Sequence, residues 1–202
     1  MQIQSAMSQI NIFIAFMLPK RENTEFSQLA GNVRATFHPE GKDEKFFHTT
    51  LLFIGRVDDS WLPFIQKHLA EIAASQAPIP IDINHLGYFY NRKKNCIKVI
   101  YAMPDSIPEE LQNLCTRLYE IIGKPLYGKT VPAITPSTIH FTISKRLKNR
   151  LSEDDFQLLS RQTKPFSIRV NINAMGLYYC KDPDHRYYRE ICRYNFQQDS
   201  KR

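Results

Sequence analysis

The sequence contains no CxxC pair. Cys96, Cys115, Cys180 and Cys192 are widely spaced, which argues against a zinc ribbon or a dithiol redox centre. Four free thiols in a chain of this size fit a reducing cytosol. The longest apolar run near the N-terminus, Ile12 to Leu18, is too short to cross a bilayer or to form a signal core, and no basic segment precedes it. A cytoplasmic chain without a membrane role is the expectation. There is no HxH or HExxH pair, so a zinc centre is disfavoured. No low-complexity linker divides the chain.

What remains is 202 residues with 43% apolar and 23% charged side chains, ordinary for a folded protein. Formal charge is +7 and the pI is about 9.2, which favours a polyanionic partner such as RNA, DNA or a nucleotide. The plainer reading of that charge is surface solubility.

The chain repeats itself. Ile83-Asn84-His85-Leu86-Gly87-Tyr88-Phe89-Tyr90 returns as Ile172-Asn173-Ala174-Met175-Gly176-Leu177-Tyr178-Tyr179, at an offset of 89. The order of elements recurs too. In the first half a strand over 10–18 stops at Pro19. A helix over about 24–36 follows, then a strand through His48 ending at Gly55. Asp58, Asp59 and Ser60 offer N-caps for a helix over 61–74. A strand holding Ile81, Ile83 and Gly87 closes the half. In the second half a strand over 97–103 is followed by a helix over 108–122, with Gly123 as its stop. A strand through His140 comes next. Ser152 and Asp155 then form a capping box for a short helix. A strand holding Ile168, Val170, Ile172 and Gly176 follows, and an extra strand over about 187–196 ends the chain. Asn91–Asn95 reads as a basic hairpin turn. The expectation is an α+β fold: a two-lobed pseudo-twofold duplication with antiparallel sheets around a central groove and helices outside. It forms one domain over 10–196, with lobes near 10–90 and 96–196 and room for strand exchange. Residues 1–9 and 197–202 are expected to be loose, and Met7 is an alternative start.

Within this repeat His48-Thr49-Thr50-Leu51 and His140-Phe141-Thr142-Ile143 share the pattern His-x-Thr-(Leu/Ile), 92 residues apart. Composition alone predicts on the order of 0.05 such motifs, so a pair is not a chance expectation. Side chains two apart on a strand share a face, roughly 6–7 Å from each other. His48 and Thr50 are then presented together, with Phe47, Thr49, Leu51 and Phe53 on the buried side. His140 and Thr142 are presented together above Ile139, Phe141 and Ile143. At physiological pH one imidazole can be neutral and the other protonated. One can take a proton from attacking water while the other gives one to a leaving oxygen. Thr50 and Thr142 would donate to non-bridging phosphate oxygens. Such chemistry needs no metal and no cofactor.

The other histidines read as ordinary: His38 in a loop, His68 on a polar helix side, His185 in a charged turn. His85 is answered by Ala174 in the second copy. Lys145 and Arg146 follow the second motif and are candidates for holding phosphate. In a regular strand only Arg146 would share a face with His140. Tyr88, Tyr90, Tyr178 and Tyr179 follow the repeated glycines. Tyr88 and Tyr179 are kept as candidate base-stacking residues, although core packing is the commoner use. Arg92-Lys93-Lys94 reads mainly as a solvated turn.

The paired motifs resemble those of the 2H phosphoesterase superfamily, and within it the LigT-like RNA 2′,3′-cyclic phosphodiesterases, also called 2′-5′ RNA ligases. The resemblance runs from Ile12–Pro19, through His48-Thr-Thr-Leu-Leu-Phe-Ile-Gly55, to Tyr187–Phe196. In that family the first motif commonly runs HxTLxFxG. Its second often has proline just before histidine, where Ile139 stands here. The resemblance implies His48 as proton donor and His140 as proton acceptor in opening a 2′,3′-cyclic phosphate to a 2′-phosphate. Expected partners are RNA or oligonucleotides with a 2′,3′-cyclic phosphate or a 2′,5′ linkage, bound by a monomer. The competing readings are a 2′,5′-oligoadenylate or cyclic-oligonucleotide phosphodiesterase and a non-catalytic RNA- or nucleotide-binding module.

Overall fold

Apolar residues in unbroken runs mark strands covered on both faces, and the run Ile12–Phe16 is such a case. In the computed structural model it forms the centre of β1 (Gln9–Met17), a strand flanked on both sides in its sheet. The structure describes residues 9–37, 47–127, 138–145, 151–180 and 188–197. The order continues with α1 (Lys20–Phe37), β2 (His48–Asp58), α2 (Leu62–Ala74), β3 (Ile79–Ile83), β4 (His85–Asn91) and β5 (Cys96–Met103). Then come α3 (Glu109–Leu118), α4 (Lys124–Tyr127), β6 (Phe141–Lys145), α5 (Glu153–Gln162), β7 (Ile168–Ile172), β8 (Ala174–Cys180) and β9 (Tyr188–Asn195).

Among the described residues there are three sheets, ordered β2-β1-β8-β9, β4-β5-β6 and β3-β7, with every ladder antiparallel. The fold is α+β, as the pattern predicts. The two larger sheets each draw strands from both halves of the chain. The small sheet explains how. Ile79 pairs with Ile172, Ile81 with Val170 and Ile83 with Ile168. Under the sequence offset of 89, Ile81 is the equivalent of Val170, and the other pairs exchange with each other. The ladder is therefore self-complementary, as at a twofold interface, and the pseudo-twofold runs through Ile81 and Val170. The inward residues of both strands are buried and the alternate ones exposed.

β1 separates its two faces cleanly. Ile12, Ile14 and Phe16 enter the main core, while Phe13 and Ala15 join Tyr178 in a small cluster on the other face. Helices cover the core side: α1 lies against β6 and β7, α2 against β8 and β9, α3 against β2. The Ser152 capping box forms with both of its bonds.

Four local expectations need correction. The strand through His48 does not end at Gly55; it runs to Asp58, and Gly55 (φ 78°) sits at a bulge where Ile12 pairs with Gly55 and Phe13 with Phe53. Phe53 is not in the buried set but 61% exposed, because a bulge after Thr50 shifts the alternation by one. Gly123 does not stop its helix. Pro125 cannot donate to Ile121, four residues back, and would crowd its carbonyl. The chain widens into a π-turn over Tyr119–Gly123 and resumes as α4. Each closing strand of the repeat is split in two, at Asn84 and at Asn173, so that β4 and β8 join other sheets than β3 and β7.

Candidate functional site

Both motifs are built by the same irregularity. Ala15 pairs with Thr50 and Ile14 with Leu52, leaving Leu51 extra. Tyr101 pairs with Thr142 and Ile100 with Ser144, leaving Ile143 extra. The fourth motif position is thus the bulged residue in both copies. Leu51 and Ile143 are both buried, which accounts for an apolar residue there. His48, Thr50, His140 and Thr142 are half-buried, while Phe47, Thr49, Leu51, Ile139, Phe141 and Ile143 are buried beneath them.

The two motifs are tied together from below. The Phe26 ring of α1 packs at 5.5 Å from Phe47 and 4.9 Å from Phe141, the residues adjoining His48 and His140. Phe47 and Phe141 are therefore no further apart than those two distances laid end to end. Cα atoms of β2 and β6 come within 8 Å of each other although the strands belong to different sheets.

Aromatic walls flank each imidazole. The His48 ring lies 4.9 Å from Tyr188, edge-on, and 5.7 Å from Phe13. Phe13 stacks on Tyr178 at 5.7 Å, and the Tyr178 hydroxyl donates to Glu190 Oε2 at 2.8 Å. Burial, and then that carboxylate, hold the Tyr178 phenol far above its ordinary pKa. The His140 ring lies 4.9 Å from Phe89, edge-on, and 5.0 Å from Tyr101, whose phenol is raised by burial. His140 Nδ1 is 3.2 Å from the Thr138 carbonyl. A carbonyl only accepts, so Nδ1 carries the hydrogen and the lone pair of the neutral ring is on Nε2.

The repeated glycines make room for these walls. A Cβ at Gly87 would lie 2.4 Å from the Tyr101 ring, and one at Gly176 would lie 2.6 Å from the Tyr178 hydroxyl. Strand alternation from Gly87 and Gly176 leads to Phe89 and Tyr178, the aromatics on the histidine side. That two-residue step is the signal in the sequence that finds them, and the candidates Tyr88 and Tyr179 stand at the alternate positions. Tyr88 packs against Phe156 at 4.7 Å, and Tyr179 packs on the main core. Both lie on the opposite face of their strands from the histidines. Tyr88 is raised in pKa by burial first and by Glu153 second.

Lys145 pairs with Val99 across the ladder. The strand is not regular, so the condition that favoured Arg146 does not hold, and Arg146 itself lies outside the described residues. His38 and His185 also lie outside them. His68 Nδ1 is 2.9 Å from Glu71, and exposed His85 is held 2.8 Å from Asp105. Arg92, Lys93 and Lys94 are exposed in the hairpin. A cavity of about 380 Å³ lined by His85, Leu86, Phe156 and Lys164 contains neither motif histidine. Among the described residues no group of three or more His, Cys, Asp or Glu converges as a metal site, and no helix is long and apolar enough to cross a membrane. Cys96, Cys115, Cys180 and Cys192 are free, and burial pushes the Cys115 thiol up to about 12.

A family model, the 2′-5′ RNA ligase superfamily, matches residues 17–182. The chain belongs to that superfamily. It is therefore one of the 2H phosphoesterases, a family of enzymes acting on phosphodiester bonds. No curated protein matches the chain in sequence. Among solved structures, TT0787 of Thermus thermophilus superposes with a TM-score of 0.70 at 20% identity, over 94% of this chain and 100% of that one. LigT of E. coli in its apo form gives 0.68 at 16% identity, over 95% of this chain and 99% of that one. At such identities the likeness establishes the LigT-like fold.

Proposed function

We propose that the protein hydrolyses a phosphodiester involving the ribose 2′-oxygen, with an RNA 2′,3′-cyclic phosphate opened to a 2′-phosphate end. His140 Nε2 takes a proton from water. The water oxygen bonds to phosphorus as the P–O3′ bond breaks, and His48 gives its proton to O3′. Thr50 and Thr142 hydroxyls donate to the non-bridging oxygens as their charge grows. Each positioned proton transfer contributes on the order of 10²–10⁴-fold. No metal takes part.

The observation that carries this reading is the Phe26 ring packed beneath both motifs. The Nδ1–H of His140 on a carbonyl supports its assignment as proton acceptor. Solved structures of E. coli LigT hold 3′-AMP, ATP, NADP+ and phosphate, which supports a nucleotide or RNA substrate. Four free thiols support a cytoplasmic location. The test is product analysis on an RNA ending in a 2′,3′-cyclic phosphate, with and without EDTA. A 2′-phosphate end formed at an undiminished rate in EDTA is expected. A 3′-phosphate end, or loss of activity on chelation, would overturn the reading.

A further inference from the structure

The pseudo-twofold leaves one strand without a mate. Under the offset of 89, β8 answers to β4, and the motif strands β2 and β6 answer to each other. The sheet β4-β5-β6 therefore repeats β8-β1-β2, and β9, which flanks β8, has no counterpart among the described residues. No described strand pairs with the outer edge of β4. A bare strand edge offers its N–H and C=O groups to another strand.

The end of β9 shows what a strand in that position does. Phe196 is buried in the main core. Its N–H donates to the Asn173 carbonyl at 2.8 Å, and the Gln197 N–H donates to the Gln76 carbonyl at 2.9 Å. The offset that aligns β3 with β7 carries Asn173 to Asn84 and Gln76 to Pro165. Both of these line the cavity of about 380 Å³, with Leu86, Phe156 and Phe166 as its apolar wall. Among the described residues no backbone N–H outside the regular ladders donates to either carbonyl. The cavity thus lies where a residue equivalent to Phe196 would enter.

Charge separates the possible occupants. Exposed Lys164 stands at the cavity, and exposed Arg92, Lys93 and Lys94 lie beyond the other end of β4. The nearby carboxylates are engaged: Asp105 with His85 and Asn84, each at 2.8 Å, and Glu153 with Tyr88. A second copy would bring the same cations on its own β4, or Arg189 and Arg193 on its β9, so like charges would meet. We propose that β4 accepts an extended acidic segment of a partner protein as an added antiparallel strand, with one aromatic side chain seated in the cavity beside Asn84 and Pro165. Main-chain bonds supply affinity in strand addition, and such a pocket supplies specificity. This surface does not depend on the function proposed above.

The probe is a fluorescent synthetic peptide of residues 188–197 carrying Arg189→Glu, Cys192→Ser and Arg193→Glu, which keeps the spacing and the phenylalanine of β9 and reverses its charge. It is titrated against the full chain by anisotropy. Saturable binding is expected, with amide-exchange protection centred on residues 84–91. Replacing the peptide's phenylalanine by alanine should weaken binding about 30-fold or more. N-methylation of that phenylalanine, which removes the N–H that would meet the Asn84 carbonyl, should weaken it about 2- to 10-fold. Lys164→Glu in the protein should cost about 2- to 5-fold at low salt. Absence of binding, equal binding of a scrambled peptide, or no loss on alanine replacement would overturn the proposal. So would protection that maps away from β4. Self-association of the chain that the peptide displaces would assign the edge to a second copy and overturn it too.

Discussion

The two motif sites share a frame and differ in their walls. In the first, Ala15 lies between Thr50 and Gly176; in the second, Tyr101 lies between Thr142 and Gly87. The small residue at 15 lets Tyr178 fold over Gly176. Tyr101 covers Gly87 itself, and Phe89 is left 38% exposed beside it. The parts held in common are one His, one Thr and one bulge per lobe. The parts that differ set the surroundings of each imidazole. A symmetric frame with unlike walls suits a reaction in which one histidine gives a proton and the other takes one.

The sharpest way to break this comparison is to remove each imidazole in turn. His48→Ala and His140→Ala should each lower kcat on the cyclic phosphate by about 10²–10⁴-fold. They should then separate on a nitrophenyl phosphodiester, whose leaving group needs no proton. There His48→Ala should recover most of its loss and His140→Ala should not. Equal recovery in both would remove the donor–acceptor distinction. Wild-type kcat on the cyclic substrate should fall in acid as His140 gains a proton and in alkali as His48 loses one. A flat rate from pH 5 to 8 would contradict paired imidazoles.

Next in size come the glycines beneath the walls. Gly87→Ala places a methyl 2.4 Å from the Tyr101 ring, where it meets a ring rather than a flexible tail. Overpacking of this kind costs about 1–3 kcal/mol, and activity should fall with it. Tyr101→Ala in the same chain should restore stability to that of Tyr101→Ala alone. Gly176→Ala should be relieved by Tyr178→Ala and not by Tyr101→Ala. Cross-rescue, read by thermal unfolding, would show that the two walls are not separate.

Much of this is legible in the residues. Alternation around His48 and His140 identifies the half-buried pairs and most of the buried set, because the strands are regular up to the threonine. It fails at Phe53, since nothing in Leu51-Leu52-Phe53 signals that β2 carries a bulge there. The repeated Gly87 and Gly176 are visible, but their cause is not. Gly87 yields to a ring on the neighbouring strand, while Gly176 yields to one two residues along its own. Pairing partners of that kind are tertiary facts. The choice of Tyr88 and Tyr179 follows residue type rather than parity from the glycines. The expected helix end at Gly123 fails because a glycine without positive φ serves there as space for Tyr119, whose ring would lie 3.1 Å from a Cβ.

A smaller effect separates the tyrosines. Burial raises both Tyr178 and Tyr101, and Glu190 raises Tyr178 further. A raised phenol favours the folded state fully below the ordinary value of 10.0, and this contribution is lost as pH climbs above it. Tyr178→Phe should flatten the alkaline loss of stability more than Tyr101→Phe does. Near neutral pH it should also cost about 1 kcal/mol for the bond to Glu190. Equal slopes for the two variants would mean that burial and Glu190 together hold Tyr178 no higher than burial alone holds Tyr101.

The smallest expected effect concerns the second motif position, Thr49 in one copy and Phe141 in the other. Both are fully buried beneath their histidines. The Thr49 hydroxyl has no hydrogen-bond partner among the described residues. An unpaired buried hydroxyl costs about 1–3 kcal/mol, whereas valine keeps the branched shape that suits a strand. Thr49→Val should therefore raise stability by about 1 kcal/mol, or roughly 2–4 °C in Tm for a chain of this size, with kcat within about twofold of wild type. The opposite result, a loss of stability or of turnover, would mean that the Thr49 hydroxyl has a partner after all. The first motif would then rest on a polar contact where the second rests on the Phe141 ring, and the asymmetry would extend from the walls into the frame.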